Sequence, residues 1–169
     1  MTTTLTEGNL QILFPAGISA RKFDDDQHGL AHCMKAVDFI VELNDRYLFI
    51  EFKDPQHPNS QEGDRNKFIR GFLAGNIDQD FKHKYRDSFL YEWASKKIEK
   101  PIYYFVLVAL DTLTEADLIT RTDALKRAIP VDGPPYGRWK KKIVAGCALF
   151  NINSWNRVLS DYQVSRITP

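Results

Sequence analysis

Hydrophobic and polar residues alternate most clearly in the segment AVDFIVELNDRYLFIEFKDP, residues 36–55. It holds two runs rich in Val, Ile, Phe and Tyr on either side of Asn44-Asp45, which predicts two antiparallel strands joined by a two-residue turn. In this register one face of the hairpin is wholly apolar, with the cross-strand pairs Val37–Phe52, Phe39–Ile50 and Val41–Leu48. That face fixes the register, because a slip of one residue would turn polar side chains into the core.

The opposite face of the same hairpin carries charged side chains. It places Asp38 opposite Glu51, and Lys53 follows two residues after Glu51 and therefore lies on the same face. Directly opposed Cβ atoms lie about 4.5–5.5 Å apart, and like charges placed there are destabilising. Such a pair persists when a shared proton, a cationic side chain or a metal ion offsets the repulsion. The inference requires an even-numbered turn, since a three-residue loop without a bulge would put the two acids on opposite faces.

Asp38, Glu51 and Lys53 are therefore a candidate metal-dependent catalytic site. Mg²⁺ typically takes one or two carboxylates and completes its shell with water and substrate phosphate oxygens. An ion there would lower the pKa of a bound water, and the Lys53 ammonium could stabilise charge that develops on a phosphate. The competing interpretation is a solvated hairpin face with a Glu–Lys pair, which accounts less well for the apolar residues on both sides of Asp38.

Asp38, twelve further residues and then Glu51-Phe52-Lys53 resemble the PD-(D/E)xK nuclease superfamily, also called restriction-endonuclease-like. In that family the first acid lies on one strand of a central hairpin and the (D/E)xK tripeptide on the next. The resemblance implies that Asp38, Glu51 and the backbone carbonyl of Phe52 hold Mg²⁺, with Mn²⁺ as a substitute, and that Lys53 positions or activates the attacking water. It implies hydrolysis of phosphodiester bonds in nucleic acid, with DNA as the expected substrate. The residue before Asp38 is Val37, whereas the PD-(D/E)xK pattern has a proline at that position.

Two other features bear on this resemblance. Many members of the family place a glutamate upstream of the hairpin, where it joins the metal site, and Glu7 is the only glutamate before Glu42. Thr4-x-x-Glu7 also matches a capping box, in which Glu7 would bond to the backbone at a helix start, and we favour that interpretation. A second tripeptide, Asp80-Phe81-Lys82, does not end a hydrophobic strand and has no acid facing it.

The remaining periodicities predict the order strand, strand, helix, strand that is typical of the family. Aromatic residues recur at helical spacing over about 78–97, and residues 102–110 form an unbroken apolar run expected of a strand buried on both faces. We also expect a polar loop at 54–66, a helix at about 115–128, a strand at 143–150 and a closing helix at 154–162 with Ser154 as N-cap. The prediction is one α/β domain over residues 1–169, with a restriction-endonuclease-like core: a mixed central sheet, a β-hairpin carrying the site, and flanking helices.

Net charge limits where nucleic acid could bind. With 23 Lys and Arg against 22 Asp and Glu the chain is nearly neutral, so a phosphate-binding surface must be local. The best candidate is YGRWKKK, which contains Arg138, Lys140, Lys141 and Lys142, and a solvated loop before a strand explains this segment equally well. A second basic set at 82–86 is better explained as a solvated helix face.

The cysteine content and the first residues of the sequence bear on the cellular compartment in which the protein is expected. The chain has 2 cysteines, Cys33 and Cys147, which provide no disulfide framework and no zinc-type spacing. The first residues lack a basic segment followed by an apolar run, and no stretch approaches eighteen apolar residues. We therefore expect a cytoplasmic protein that does not bind membranes.

Three functions remain open from the sequence. The first is a metal-dependent nuclease acting on DNA, in which loops, the second copy of a homodimer or a separate specificity partner supply target recognition. The second is a catalytically inactive nuclease-like module for nucleic-acid binding or protein assembly. The third is a structural or interaction domain in which Glu51 pairs with Lys53 or with a helix lysine.

Overall fold

A computed structural model describes residues 2–25, 28–137 and 139–167, and these ranges contain two β-sheets and four α-helices. The larger sheet has five strands, in the spatial order β3 (Ser19–Lys22), β4 (Phe39–Glu42), β5 (Tyr47–Lys53), β6 (Ile102–Val108) and β7 (Gly146–Phe150). Neighbours β3, β4 and β5 are antiparallel, whereas β6 runs parallel to β5 and β7 runs parallel to β6. The predicted α/β class with a mixed central sheet is confirmed.

A smaller sheet and the helices cover the two faces of this central sheet. The small antiparallel sheet has the order β1 (Thr3–Glu7), β2 (Leu10–Phe14), β8 (Val164–Arg166). The helices are α1 (Glu62–Ala74), α2 (Asp78–Ala94), α3 (Glu115–Ala128) and α4 (Ile152–Val158). Over the described ranges, none of these helices is both apolar enough and long enough to pass through a membrane.

The β4–β5 hairpin has the predicted turn and register. The Leu43 N–H donates to the Arg46 carbonyl at 2.9 Å, so Asn44-Asp45 are the two turn residues. The cross-strand pairs include Phe39–Ile50, Ile40–Phe49 and Val41–Leu48. An even-numbered turn is the condition under which the two acids share a face.

Side chains of the β4–β5 hairpin point alternately to the two faces of the sheet and so belong to two different apolar clusters. Alternate residues of β4 and β5 pack with β2, β8 and Trp155 of α4 in one cluster, namely Phe39, Val41, Leu48, Ile50 and Phe52. The intervening residues, among them Ile40 and Phe49, pack against Phe81 and Tyr85 of α2. The hairpin is therefore covered on both faces, and its charged residues lie on the α2 side.

Strand pairing stops earlier than predicted. β4 begins at Phe39, so the expected pair Val37–Phe52 does not form. Val37 instead donates its N–H to Ser88 Oγ of α2 at 2.9 Å and packs in the cluster on the α2 side. The chain turns toward α2 just before the strand starts, at the position of Asp38.

The N-terminal segment is a β-hairpin, so the helix start predicted from Thr4-x-x-Glu7 is wrong. β1 pairs antiparallel with β2, with Glu7 opposite Leu10. Gly8, in the two-residue turn, has a φ of 55°, a left-handed conformation that glycine adopts without steric cost. A Gly-Asn pair between two runs of β-forming residues is a hairpin signal that the capping-box interpretation overlooked.

Helix α1 lies partly where the sequence predicted a polar loop. The loop ends at Gln61 and the helix begins at Glu62, so the loop prediction for 54–66 is correct only for its first part. Within α1 only Phe72 is fully buried. The first half of α1 is polar, and its apolar residues Phe68, Ile69 and Phe72 lie only in the second half, where they pack against the core. The polar composition of the first half therefore led to the prediction of a loop there.

The other predicted helices and strands are confirmed with changes at their ends. The sheet strand β7 begins at Gly146, and α2 ends at Ala94. Asn151, and not Ser154, caps α4: its side chain accepts the Ser154 N–H at 2.8 Å, and the Ser154 hydroxyl accepts the Asn151 N–H at 3.0 Å. Helix α4 does not close the fold, because β8 follows it and pairs with β2.

Gly75→Ala should lower the free energy of unfolding by about 1–2 kcal/mol. Gly75 follows α1 with a φ of 83°, and a Cβ there would lie 2.8 Å from Nη2 of Arg121. Arg121 forms an ion pair with Asp78 at the start of α2, so its guanidinium cannot move away without disturbing that pair. Urea denaturation followed by circular dichroism measures the change.

Gly63→Ala in the first turn of the same helix is the matched control. Gly63 is not among the positive-φ glycines, and nothing lies within 4 Å of a Cβ added there. Because alanine is the better helix former, the free energy of unfolding should stay unchanged or rise by up to about 1 kcal/mol. Equal losses in both variants would show that the left-handed conformation of Gly75 is not what makes glycine necessary.

Candidate functional site

The charged face of the hairpin lies beneath helix α2, near the C-terminal end of β5. Asp38 and Glu51 are buried, with exposed fractions of 3% and 0%. Both carboxylates approach one ammonium group of α2: Lys84 Nζ lies 2.8 Å from Glu51 Oε1 and 3.7 Å from Asp38 Oδ1. The two acids therefore lie on the same side of the sheet.

Main-chain hydrogen bonds hold Asp38 at the point where strand pairing ends. The Phe52 N–H donates to Asp38 Oδ2 at 2.6 Å, in place of the bond to the Val37 carbonyl that continued pairing would supply. The Asp38 carbonyl accepts the Phe23 N–H at 2.7 Å, which ties Asp38 to the end of β3. The carboxylate thus closes the open end of the β4–β5 ladder and is fixed in position by it.

The same break affects the backbone carbonyl of Phe52, which the family resemblance assigned as a ligand. At a hydrogen-bonded position of an antiparallel pair, the N–H and the carbonyl of a residue both point to the partner strand. The residue opposite Phe52 in this register is Val37, whose N–H donates to Ser88 Oγ. The Phe52 carbonyl therefore loses its expected ladder donor on the side where Asp38 lies.

Glu51 is the most deeply buried acid of the site. Lys53 Nζ at 2.9 Å and Lys84 Nζ at 2.8 Å both approach its Oε1. These are ionic contacts without hydrogen-bond geometry, and Oε2 has no hydrogen-bond partner among the described residues. A buried carboxylate oxygen without a partner costs free energy unless another group binds it.

Lys53 lies at the end of β5, between Glu51 and the first turn of α2. Its Nζ is 3.8 Å from Asp80 Oδ2, and Asp80 also forms an ion pair with Lys35. Burial alone would raise the pKa of Asp80, but the ammonium groups of Lys35 and Lys53 outweigh burial and hold its pKa below the ordinary value. Asp80 is the acid of the second tripeptide, Asp80-Phe81-Lys82. No strand pattern in the sequence predicted it at this site, and the tertiary structure brings it beside Lys53.

Burial raises the pKa of both hairpin acids. Burial, with a further contribution from the Glu51 charge, raises the pKa of Asp38 to about 7, although Lys84 and the Phe52 N–H oppose the change. Burial also raises the pKa of Glu51, against the effect of Lys53 and Lys84. Burial alone would lower the pKa of Lys84, but Glu51 and Asp38 hold it above its ordinary value. Lys84 is therefore the resident cation between the two acids.

Lys84 is a helix lysine beside Glu51, a partner that the third function above allowed without naming the residue. The interpretation of residues 82–86 as a solvated helix face is wrong for this residue, whose side chain is only 14% exposed. The available signal was helical spacing, since Lys84 lies four residues after Asp80 and four before the buried Ser88. Both of those residues face the hairpin, which places Lys84 on the inner side of α2.

Glu7 lies at the margin of the site, at the end of β1. Its Oε2 is 2.7 Å from Lys22 Nζ, and its charge adds to the raised pKa of Asp38. Over residues 2–25, 28–137 and 139–167, no group of three or more His, Cys, Asp or Glu side chains is placed to hold a metal ion. The assignment of Glu7 as a metal ligand stays a prediction from the resemblance.

The predicted basic segment is not beside the carboxylates. Lys140, Lys141 and Lys142 are exposed in the loop before β7, and Arg138 lies outside the described residues. That loop meets β6 at its first residue, Ile102, whereas Lys53 pairs with the last, Val108. A strand of that length spans about 20 Å, so the basic segment and the carboxylates lie toward opposite ends of the sheet.

A cavity of about 260 Å³ opens beside the site, between the end of β5 and helix α1. Lys53 and Arg65 both line it, and the Arg65 guanidinium is held in place by a 3.1 Å bond from Nε to the Pro55 carbonyl. Lys53 can therefore be reached from outside, although Glu51 beside it is fully buried.

Comparison with known proteins identifies no relative: no protein-family model, no curated protein and no solved structure matches this chain.

The free energy of unfolding should fall as the pH rises from about 4 to about 7. The pKa of Asp38 is about 7 in the folded protein, against an ordinary value of 3.8. The folded state therefore binds this proton more tightly than the unfolded chain, and stability is lost as the proton dissociates; the raised pKa of Glu51 acts in the same direction. The difference for Asp38 corresponds to at most about 4 kcal/mol. Urea titrations with a chelator present, at a series of pH values, measure the slope.

Asp38→Asn should flatten this pH dependence, because an amide does not ionise and can still accept the Phe52 N–H. Asp111→Asn, at an exposed acid in the turn after β6, is the control and should keep the wild-type slope. An unchanged slope in Asp38→Asn would mean that another group is responsible for the loss of stability.

Proposed function

We propose that this chain is a metal-dependent nuclease of the PD-(D/E)xK type, which hydrolyses phosphodiester bonds of nucleic acid, with DNA as the expected substrate. The observation that carries the proposal is the convergence of Asp38, Glu51 and Lys53 on one side of a central hairpin. The arrangement of antiparallel β3, β4 and β5 followed by parallel β6 and β7, with α2 over the hairpin, supports a restriction-endonuclease-like core.

The residues present fit a divalent ion such as Mg²⁺, for which Mn²⁺ can substitute. Glu51 Oε2 is a buried acceptor without a partner, Asp38 lies on the same side, and the Phe52 carbonyl has lost its ladder donor. All three groups offer oxygen, and Mg²⁺ characteristically completes such a set with water and substrate phosphate. When bound, the ion would lower the pKa of a coordinated water and stabilise negative charge on the phosphate.

Lys53 is the side chain best placed to act on the attacking water and the phosphate. Its ammonium group is anchored by Glu51 and Asp80, at 2.9 and 3.8 Å, and also lines the cavity beside α1. A fixed ammonium group in a largely buried site can orient a water by hydrogen bonding and stabilise charge that develops in the transition state. Asp38 is held by main-chain bonds, so its carboxylate needs little rearrangement before an ion binds.

Recognition of a target requires a contribution from outside this site. The basic loop before β7 lies toward the opposite end of the sheet, and one site per chain cuts one strand. A homodimer would supply a second site for a duplex, and a separate specificity partner would supply target recognition.

A second candidate function is a catalytically inactive nuclease-like module that binds nucleic acid or assembles with proteins. The observation that favours it is that Glu51 already has two ammonium neighbours within 2.9 Å. In such a module the lysines are permanent partners of the acids and no ion is required.

Asp38→Asn, Glu51→Gln and Lys53→Met should each lower the cleavage rate at least about 100-fold, because each removes a charge from the reacting centre. The replacements keep the approximate size of the side chains, and circular dichroism verifies that each variant is folded. Single-turnover cleavage of labelled DNA and RNA, single-stranded and duplex, with Mg²⁺ or Mn²⁺, measures the effect.

Asp123→Asn is the control for these variants. Asp123 lies on α3 and is 54% exposed, with an i,i+3 contact to Lys126, and cleavage by this variant should match the wild type. Unchanged Mg²⁺-dependent cleavage in all three site variants would reject the nuclease proposal, since the activity would then come from another protein in the preparation.

Titration calorimetry with Mn²⁺ separates the two candidate functions. We expect wild type to bind Mn²⁺ and Glu51→Gln to lose most of that binding, because the Glu51 carboxylate is the most buried donor of the site. Affinity for nucleic acid without any Mn²⁺ binding would instead support the inactive module.

A further inference from the structure

Lys84 is the feature of the site that the (D/E)xK motif does not explain. The motif supplies its lysine, Lys53, from the same strand as Glu51, whereas Lys84 comes from α2. Its ammonium is largely buried and contacts both hairpin acids, at 2.8 Å from Glu51 Oε1 and 3.7 Å from Asp38 Oδ1. Burying an ammonium there is costly unless both carboxylates compensate it.

The Lys84 ammonium contacts one oxygen of each hairpin acid, and an ion held by both carboxylates would bind close to it. Mg²⁺ takes carboxylate oxygens as ligands at about 2.0–2.1 Å, so an ion held by Asp38 and Glu51 would lie close to the ammonium group that contacts both of them. An ion bound to Glu51 Oε2 would still be close to the ammonium, because Oε1 and Oε2 belong to the same carboxylate. Two cations at such a distance repel strongly in a buried site, where the effective dielectric constant is far below that of water.

Asp24 offers the Lys84 ammonium a third carboxylate partner, outside the pair of hairpin acids. Asp24 Oδ2 lies 3.8 Å from Lys84 Nζ, just beyond β3, and the Asp24 side chain is 48% exposed. The four-carbon stem of a lysine is flexible, so a rotation toward Asp24 would vacate the space between the hairpin acids. The ammonium would keep a carboxylate partner throughout this movement.

We propose that Lys84 is a displaceable counter-ion of the metal site: it neutralises Asp38 and Glu51 in the metal-free protein and gives up its place to the divalent ion. The inference rests on the proposed nuclease function, because it concerns the same ion. It makes Lys84 a positioning residue, which holds the two carboxylates in place until the ion binds. Lys84 therefore stabilises the metal-free fold and weakens metal binding, two effects of opposite direction.

The test compares Lys84→Met with Lys82→Met by Mn²⁺ titration calorimetry at pH 8, above the pKa of about 7 for Asp38. Lys84→Met should bind Mn²⁺ at least about tenfold more tightly than wild type, because a nearby positive charge has been removed. Its urea midpoint in chelator should be lower than that of wild type, and saturating Mn²⁺ should restore it. Lys82, on the same helix, makes no ion pair among the described residues, so its variant should keep the wild-type affinity.

Lys84→Arg tests whether charge, and not side-chain packing, is responsible. It retains a cation and should bind Mn²⁺ as weakly as wild type, or more weakly because the guanidinium is larger. If Lys84→Met does not fold in chelator, Lys84→Gln replaces it, since it also removes the charge but keeps a polar side chain beside the two acids. A purely structural role for Lys84 would lower stability and metal affinity together.

The outcomes distinguish this inference from the nuclease proposal. Mn²⁺ binding by wild type with equal or weaker binding by the uncharged Lys84 variant overturns the inference and leaves the nuclease proposal intact. Absence of Mn²⁺ binding in wild type and in every variant overturns both. Binding that is detectable only once Lys84 is uncharged supports the inference and shows that the lysine closes the site.

Discussion

Two carboxylates buried side by side require compensating cations, and this requirement organises the molecule around the β4–β5 hairpin. Removing the partner of a buried charge costs about 3–5 kcal/mol, which is a large part of the stability of a domain. Helix α2 meets the requirement with Lys84 while it packs Phe81 and Tyr85 into the core. The position of α2 over the hairpin is therefore set by electrostatics as well as by apolar burial.

The site occupies the place where regular strand pairing ends, and that location has a physical reason. A continued ladder would use the Phe52 N–H and carbonyl for bonds to β4, leaving nothing to hold a side chain. Because the chain turns away before β4, the Phe52 N–H binds the Asp38 carboxylate and the Val37 N–H binds Ser88. The two strand-pairing hydrogen bonds between residues 37 and 52 are therefore absent, and the Asp38 carboxylate is held in a fixed position instead. The two buried acids of the site lie on a sheet that is covered on both faces. Lys53, in contrast, borders an open cavity beside helix α1, in which one residue is fully buried.

Several elements could be predicted from the sequence because a local pattern specifies them. Strands buried on both faces and helices with a strong apolar period have signals that depend only on nearby residues, as in β6, α2 and α3. Helix α1 escaped prediction because its first half is polar and its apolar residues, Phe68, Ile69 and Phe72, form only a short run in its second half. The N-terminal hairpin was misassigned because two local signals, a capping box and a Gly-Asn turn, compete in the same few residues, and pairing with β8 favours the strand.

The shared face of Asp38 and Glu51 was determined by the sequence alone, since strand alternation and a two-residue turn decide it without reference to the rest of the chain. The tertiary structure decided which cations meet those acids. Lys84 and Asp80 reach the hairpin only because α2 rests on it with one particular face, and that rotation is chosen by the packing of residues distant in sequence. Local patterns show which residues of a helix share a side, but contacts between elements decide what that side touches.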